Sequence, residues 1–173
     1  EGVPADVLQC IETPSIPLAN ELMAMGDLTI ATGGPAMVKA AYSSGKPAYG
    51  VGAGNASMVI DETADIDEAA RNTRLSKTND YGSGCSADGN LIVESSIYDR
   101  FLAALQAEGG YLVEGAEKAQ LQAAYWDAEG RRTADTIARP AEVIASKAGL
   151  TLPAGKSFFI VPETNIGRAH PFS

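Results

Sequence analysis

The fold class is decided by residues 28–51, which read LTIATGGPAMVKAAYSSGKPAYGV. The apolar and β-branched run 28–32 predicts a strand, the Gly-Gly-Pro at 33–35 a turn, and residues 36–42 a helix. Residues 47–51 predict a second strand. Because two strands joined through a helix pair in parallel, the segment predicts an α/β fold whose ligands lie at the carboxyl ends of the strands.

The rest of the chain repeats this alternation of strands and helices. Residues 6–11 predict a short strand with Cys10 in the core, since free cysteine is among the most buried residue types. Residues 109–135 show no clear pattern apart from a helix near 114–124. The remaining predicted strands are 58–61, 90–94 and 157–161. The remaining predicted helices are a short one through 18–23 that ends near Gly26, and three longer ones over 65–77, 97–107 and 141–148.

Composition restricts the class of function. Hydrophobic residues make up 45% of the 173 positions, so the chain can bury a substantial core. The net charge is −9, from 13 Lys and Arg against 22 Asp and Glu, which argues against a nucleic-acid surface and against anionic membranes. No apolar run approaches the roughly 20 residues that cross a bilayer. The expected partners are therefore small molecules.

The chain has two cysteines, Cys10 and Cys85, 75 positions apart, and one histidine, His170. A disulfide scaffold uses more cysteines at closer spacing, so a reducing cytoplasm fits this usage best. Two cysteines and one histidine do not have the spacing of a zinc site, and the sequence predicts no metal centre.

Cys85 lies in a glycine-rich stretch, residues 81–90, that reads YGSGCSADGN. Such surroundings predict an exposed nucleophile, although a buried thiol is the alternative. A thiol hydrolase needs a base, and the one histidine lies in a tail without pattern. A thiolate that attacks an aldehyde needs no paired histidine: hydride then passes to a nicotinamide and a thioester remains. Backbone N–H groups of residues 82–85 could stabilise the oxyanion.

Two other glycine-rich turns leave alternatives open. Gly33 and Gly34 precede a helix and could hold a phosphate, but they lack the dinucleotide and P-loop spacings, so a tight turn is equally well supported. Residues 50, 52 and 54 are alternating glycines, and Asn55 follows where a third fingerprint glycine would stand. Asn55 either orients the strand end or closes a turn. Lys77 either lowers the pKa of Cys85 or is solvated.

Residues 31–48 and 50–55, with the Glu-Thr-Pro-Ser at 12–15, resemble the CoA-acylating branch of the aldehyde dehydrogenase superfamily. The resemblance runs from about residue 12 to residue 97 and more loosely to the end. It implies the end of a Rossmann-like nucleotide-binding domain over residues 1–56 and part of an α/β catalytic domain over 57–173. It also implies that the chain is part of a longer protein, because the resemblance begins midway through the nucleotide-binding domain.

The same resemblance assigns roles to individual residues. Cys85 matches the catalytic cysteine. Thr32, Gly33, Gly34 and Pro35 match the turn over the nicotinamide cofactor, and Gly52 lies at the end of the following strand. The resemblance assigns cofactor binding to these five residues. The implied cofactor is NAD or NADP, with coenzyme A as co-substrate. The family also implies a homo-oligomeric parent protein.

The acceptor of the acyl group is suggested by a missing residue. Hydrolytic aldehyde dehydrogenases carry a general-base Glu in the strand that matches residues 49–54, and this sequence has no carboxylate there. The expected reaction therefore converts an aldehyde, CoA and NAD(P)⁺ to acyl-CoA and NAD(P)H. The alternatives are a hydrolytic enzyme that yields a carboxylic acid and a non-catalytic scaffold that retains the fold. Residues 79–86 resemble acylating acetaldehyde and sulfoacetaldehyde dehydrogenases, but the aldehyde itself is not readable.

Overall fold

The computed structural model describes residues 2–167 and 169–173, which form two compact units divided between Ala53 and Gly54. The first unit contains α1 (Ile16–Met25), β1 (Thr29–Thr32), α2 (Pro35–Tyr42) and β2 (Ala48–Val51). The second unit contains β3 (Ala56–Ile60), α3 (Ile66–Thr78), β4 (Asp88–Val93), α4 (Tyr98–Ala107), β5 (Gly110–Leu112), α5 (Ala116–Tyr125), α6 (Ala141–Ala148) and β6 (Phe158–Ile160).

The first unit is built on the predicted strand–helix–strand segment. β1 and β2 pair in parallel, with Thr29 opposite Ala48 and Thr32 opposite Val51. Pro35 begins α2, where its fixed φ and missing N–H are tolerated. The α2 helix packs closely because Gly50 has no side chain: a Cβ there would lie 2.7 Å from Val38 Cγ1. The parallel pairing predicted from residues 28–51 is confirmed.

The second unit contains two further parallel pairs, β3 with β4 and β5 with β6. The α3 helix connects β3 to β4, and Asp65 caps it by accepting the Glu68 N–H at 3.1 Å. Its first turn carries Asp67 and Glu68, as the helix dipole favours. The helices α5 and α6 lie in the connection from β5 to β6.

Two hydrophobic clusters stabilise this unit. The first joins strand β3 to helices α3 and α4 and to β6, and consists of Ile60, Ile66, Ala70, Phe101, Leu105 and Phe158. The second lies between α5 and α6 and consists of Val113, Leu121, Ala124, Ile144 and Ala148. Each cluster closes one of the two parallel strand pairs against its helices, so both are cores of βαβ type.

The prediction for residues 6–11 is wrong. These residues form turns and bends, and Cys10 is exposed instead of lying in the core. A short apolar run becomes a strand only when a neighbouring strand accepts its backbone hydrogen bonds. In the described part of the first unit, β1 and β2 pair with each other and with no third strand.

The first cluster makes a prediction about Phe101. Its side chain is 1% exposed, whereas Tyr98 on the same helix is 40% exposed. Phe101→Ala leaves a cavity and should lower the free energy of unfolding by about 3–5 kcal/mol. Tyr98→Ala should lower it by about 1 kcal/mol or less. Urea denaturation of the two variants measures both values, and equal losses would show that Phe101 is not a core residue.

Candidate functional site

Cys85 lies in a loop, residues 83–87, that precedes β4; we refer to it as the Cys85 loop. Its thiol is exposed, which agrees with the nucleophile interpretation and not with a buried structural cysteine. In the parallel pair, Ala56 at the start of β3 lies opposite Asp88 at the start of β4. The Cys85 loop therefore enters the sheet beside residues 54 and 55, at the amino end of these strands.

A left-handed turn leads into the Cys85 loop. Asp80, Tyr81 and Gly82 all have positive φ, at 47°, 53° and 70°. For residues other than glycine this conformation costs about 1–2 kcal/mol each. The Ser83 N–H donates to the Asp80 carbonyl at 3.1 Å and closes the turn. Strained backbone of this kind is concentrated at functional sites, where the surrounding structure holds it in place.

The last turn of α3 holds both flanks of the Cys85 loop. On one side, the Asp88 N–H donates to Ser76 Oγ at 3.0 Å, and the Ser76 hydroxyl donates to Asp88 Oδ1 at 3.1 Å. On the other side, Gly82 packs against Lys77: a Cβ there would lie 3.3 Å from Lys77 Cε. Two consecutive helical residues thus fix the chain three positions before and three positions after the cysteine.

Lys77 is partly buried and not fully solvated. Burial lowers the pKa of Lys77, while the charge of Asp88 opposes this shift and the charge of Arg132 adds to it. Lys77 also lines a cavity of about 450 Å³ in the second unit, together with Tyr81, Asp88 and Arg132.

Aromatic and basic side chains form one wall of this cavity. The Arg132 guanidinium lies 3.8 Å from the centre of the Tyr125 ring and 5.4 Å from that of Trp126. Arg139 is a third cation in the lining. These cations come from three separate segments of the chain, so no local sequence pattern indicates that they lie around one cavity. The cavity lining does not include Cys85 among the described residues.

The predicted cofactor residues lie together in the first unit. Thr32 ends β1, Gly33 and Gly34 form the turn, and Pro35 begins α2. The Gly33 N–H donates to the Val51 carbonyl at 3.0 Å. A Cβ on Gly52 would lie 4.0 Å from the Gly33 oxygen, so the two glycine segments are neighbours at the carboxyl ends of β1 and β2. Cys85 belongs to the other unit.

The turn at residues 32–35 has the features of an anion-binding backbone. Gly34 is the N-cap of α2, and a Cβ built on it meets no atom within 4 Å. The first turn of a helix presents free N–H groups and the positive end of the dipole. At Gly34 the turn therefore leaves the amino end of α2 open to an anion.

Two kinds of site are absent from the described part of the chain. No group of three His, Cys, Asp or Glu side chains in residues 2–167 and 169–173 is arranged to hold a metal ion. Within the same residues, no helix combines the length and apolar character needed to cross a membrane.

Comparison with known proteins identifies the family. A model of the aldehyde dehydrogenase family matches residues 1–139. The chain belongs to the aldehyde dehydrogenase family. The membership predicted from residues 31–48 and 50–55 is thereby confirmed.

Individual aldehyde dehydrogenases are similar over nearly the whole chain. The acylating sulfoacetaldehyde dehydrogenase of Bilophila wadsworthia is 42% identical over 164 residues, which cover 92% of this chain and 35% of that protein. The acetylating aldehyde dehydrogenase of Geobacillus thermoglucosidasius has a TM-score of 0.92 at 39% identity, over 99% of this chain and 38% of that one. The predicted α/β fold is confirmed by this match.

A third similar structure contains ligands. It is the propionaldehyde dehydrogenase of Rhodopseudomonas palustris, with bound CoA and an acylated cysteine; its TM-score is 0.80 at 32% identity, over 93% of this chain and 37% of that one. This chain spans between a third and two fifths of the length of these three relatives.

The Ser76–Asp88 contact leads to a prediction about the Cys85 loop. Ser76→Ala removes the acceptor of the partly buried Asp88 N–H and should lower the free energy of unfolding by about 1–3 kcal/mol. Hydrogen exchange at the Asp88 amide should accelerate. Ser83→Ala is the matched control, because its side chain is exposed, and it should change stability by about 0.5 kcal/mol or less. Equal exchange rates at Asp88 in the two variants would contradict the contact.

Proposed function

We propose that this chain is the cysteine-bearing part of a CoA-acylating aldehyde dehydrogenase. The overall reaction converts an aldehyde, CoA and NAD(P)⁺ to acyl-CoA, NAD(P)H and a proton. The observation that carries the proposal is the exposed Cys85 in its anchored loop, on a fold that in the Rhodopseudomonas palustris relative holds CoA and an acylated cysteine. The whole reaction requires more of the protein than this third.

Cys85 acts as the nucleophile in this proposal. Its thiolate forms a C–S bond to the aldehyde carbon, and the carbonyl electrons move to oxygen. When the carbonyl reforms, the carbon loses hydride and a thioester stays on Cys85. The nicotinamide cofactor supplies the hydride acceptor when it is bound. Backbone N–H groups of the Cys85 loop, whose residues have small side chains, would donate to the oxyanion.

The fate of the thioester distinguishes the acylating from the hydrolytic reaction. Hydrolysis needs a carboxylate that activates water, and β2 and the residues after it, 48–55, contain none. The CoA thiol instead attacks the thioester carbon, the C–S bond to Cys85 breaks, and the thiolate is regenerated. The acylating relatives favour this interpretation over hydrolysis.

The cofactor is assigned to the first unit. Thr32, Gly33, Gly34 and Pro35 would hold NAD or NADP through the backbone at the amino end of α2, and Gly52 keeps the neighbouring strand end free of side chains. Residues 1–56 are then the end of the nucleotide-binding domain, and residues 57–173 part of the catalytic domain. We include in the proposal a homo-oligomeric parent enzyme of the cytoplasm that acts on small molecules, without nucleic-acid or membrane partners.

The first test runs the thioester step backwards in the full-length enzyme that contains this chain. Incubation with a short-chain acyl-CoA should transfer the acyl group to Cys85, as peptide mass spectrometry would show. Cys85→Ala should abolish the adduct and the activity, since it removes the sulfur that forms the thioester. Cys10→Ala is the matched control because both thiols are exposed, and it should leave the adduct unchanged.

Other results of this experiment would refute the proposal. An adduct on Cys10 alone would remove Cys85 from the mechanism. Aldehyde oxidation that proceeds without CoA, with no adduct from acyl-CoA, would establish the hydrolytic enzyme. A full-length protein that neither oxidises aldehydes nor accepts an acyl group would be a scaffold.

The second test separates cofactor binding from folding. Aspartate is a favoured N-cap residue, so Gly34→Asp should preserve α2 while placing a negative charge against the phosphates. Repulsion of one unit charge in a partly desolvated site should raise the KM for NAD(P)⁺ by about 10-fold or more, equivalent to about 1.4 kcal/mol. The KM for the aldehyde should not change. Gly34→Ser provides the neutral N-cap control, and equal KM values in the two variants would refute this cofactor site.

A further inference from the structure

A bulge interrupts the β3–β4 pair next to Cys85. Ala56 lies opposite Asp88, but the next residue, Ser57, lies opposite Asn90. Gly89 is therefore an extra residue on β4. Bulges are uncommon in parallel pairs, and they often re-aim a neighbouring side chain beside an active site. One strand residue, Asp88, separates this bulge from the Cys85 loop.

Two consecutive residues before β3 fill the space around the bulge and the cysteine. A Cβ built on Gly54 would overlap the Cys85 carbonyl oxygen, and it would lie 3.0 Å from the Cys85 carbonyl carbon and 3.3 Å from the Cys85 Cβ. A Cβ built on Gly89 would overlap Asn55 Oδ1 and lie 2.8 Å from Asn55 Cγ. The backbone at Gly54 thus contacts the nucleophile's peptide, and the Asn55 side chain covers the bulge.

We propose that Gly54 and Asn55 form a seat that positions Cys85, with Gly54 setting the place of its peptide and Asn55 the place of the bulge behind it. Both are positioning residues, since they act through the backbone of the Cys85 loop. The inference rests on the proposed function, in which Cys85 is the nucleophile. It also decides between the two interpretations of Asn55, which orients the strand end instead of merely closing a turn.

Contacts with α3 hold the Cys85 loop at both of its ends. Ser76 binds the Asp88 N–H, and Lys77 packs on Gly82. A methyl group at position 54 must therefore shift the Cys85 peptide, while Asp88 and Gly82 stay in contact with α3. A displacement of about 1 Å is enough to cost about 100-fold in rate when reacting atoms must be aligned.

The first test measures acyl transfer and simple thiol reactivity in the same full-length enzyme. In Gly54→Ala, acyl transfer from propionyl-CoA to Cys85 should fall by about 100-fold, because the reacting atoms lose alignment. Alkylation of Cys85 by iodoacetamide needs only an exposed thiol and should remain within a few-fold of wild type. In steady state, kcat should fall while the KM for NAD(P)⁺ is retained, a split that general loss of structure would not produce.

Two controls are available within the chain. Gly26→Ala makes the same chemical change where the nearest atom to the new Cβ, Leu22 O, is at an ordinary 3.4 Å, and acyl transfer should be unchanged. Cys10 reports on the rest of the chain, and its alkylation rate should be the same in both variants. Acyl transfer in Gly54→Ala that equals wild type would overturn the seat, as would equal slowing in Gly26→Ala.

The second test uses size complementarity at the bulge and does not depend on Gly54→Ala folding. Gly89→Ala should slow acyl transfer because its methyl group meets the Asn55 side chain. With Asn55→Ala the overlap disappears, and the nearest remaining atom is Ala56 O at 3.3 Å. The double variant should therefore transfer acyl groups faster than Gly89→Ala alone, a coupling that a double-mutant cycle isolates. Additive losses would overturn the assignment of Asn55 to the seat.

The seat and the proposed function fail in distinguishable ways. In protein labelled with ¹³C-cysteine, the Cys85 Cβ signal should shift in Gly54→Ala while the Cys10 signal stays in place. A shift without any acylation of the wild-type enzyme would retain the seat and refute the acylating function. Acylation of the wild type with neither a shift nor a rate change in the variant would retain the function and refute the seat.

Discussion

The parallel pairing of β3 with β4 determines where Cys85 can lie. In a parallel pair the two strands begin at the same edge, so the residues before them become neighbours. Here those residues are Gly54 and Asn55 on one side and the Cys85 loop on the other. A larger residue at position 54 would clash with the Cys85 backbone, and one at position 89 would displace the Asn55 side chain. The position of Cys85 therefore depends on the register of the β3–β4 pair.

The two halves of the proposed chemistry use opposite ends of parallel strands. The residues assigned to the cofactor lie at the carboxyl ends of β1 and β2, where ligands of open α/β sheets are found. Cys85 lies at the amino ends of β3 and β4. The free N–H groups of a helix N-terminus can bind a phosphate. The cysteine instead needs a backbone whose position is restrained by contacts on two sides. The last turn of α3 and the start of β3 supply those two sides.

Much of the fold was readable from residues 28–51, because a strand, a Gly-Gly-Pro turn and a helix each leave a local signal. The strand predicted at 6–11 failed for a non-local reason, since nothing in its own residues shows whether a partner strand is present. The short strand β5 was missed because three residues, Gly110–Leu112, are too few to show alternation. The left-handed turn at residues 80–82 was also missed: Asp80 and Gly82 are residue types found at positive φ, but Tyr81 between them is not.

The alternating glycines 50, 52 and 54 show why a motif alone did not reveal the site. Their spacing suggests a dinucleotide fingerprint, yet each glycine makes room for a different neighbouring residue. Gly50 admits Val38 and Tyr42 of α2, Gly52 faces the Gly33 turn, and Gly54 admits the Cys85 peptide. The sequence shows that these positions are small. It does not show which residue packs against each glycine, because those residues lie between 8 and 31 positions away along the chain. Only the three-dimensional register connects Gly54 to Cys85. The same five-residue segment, 50–54, thus contains one glycine for helix packing, one for the proposed cofactor site and one for the cysteine.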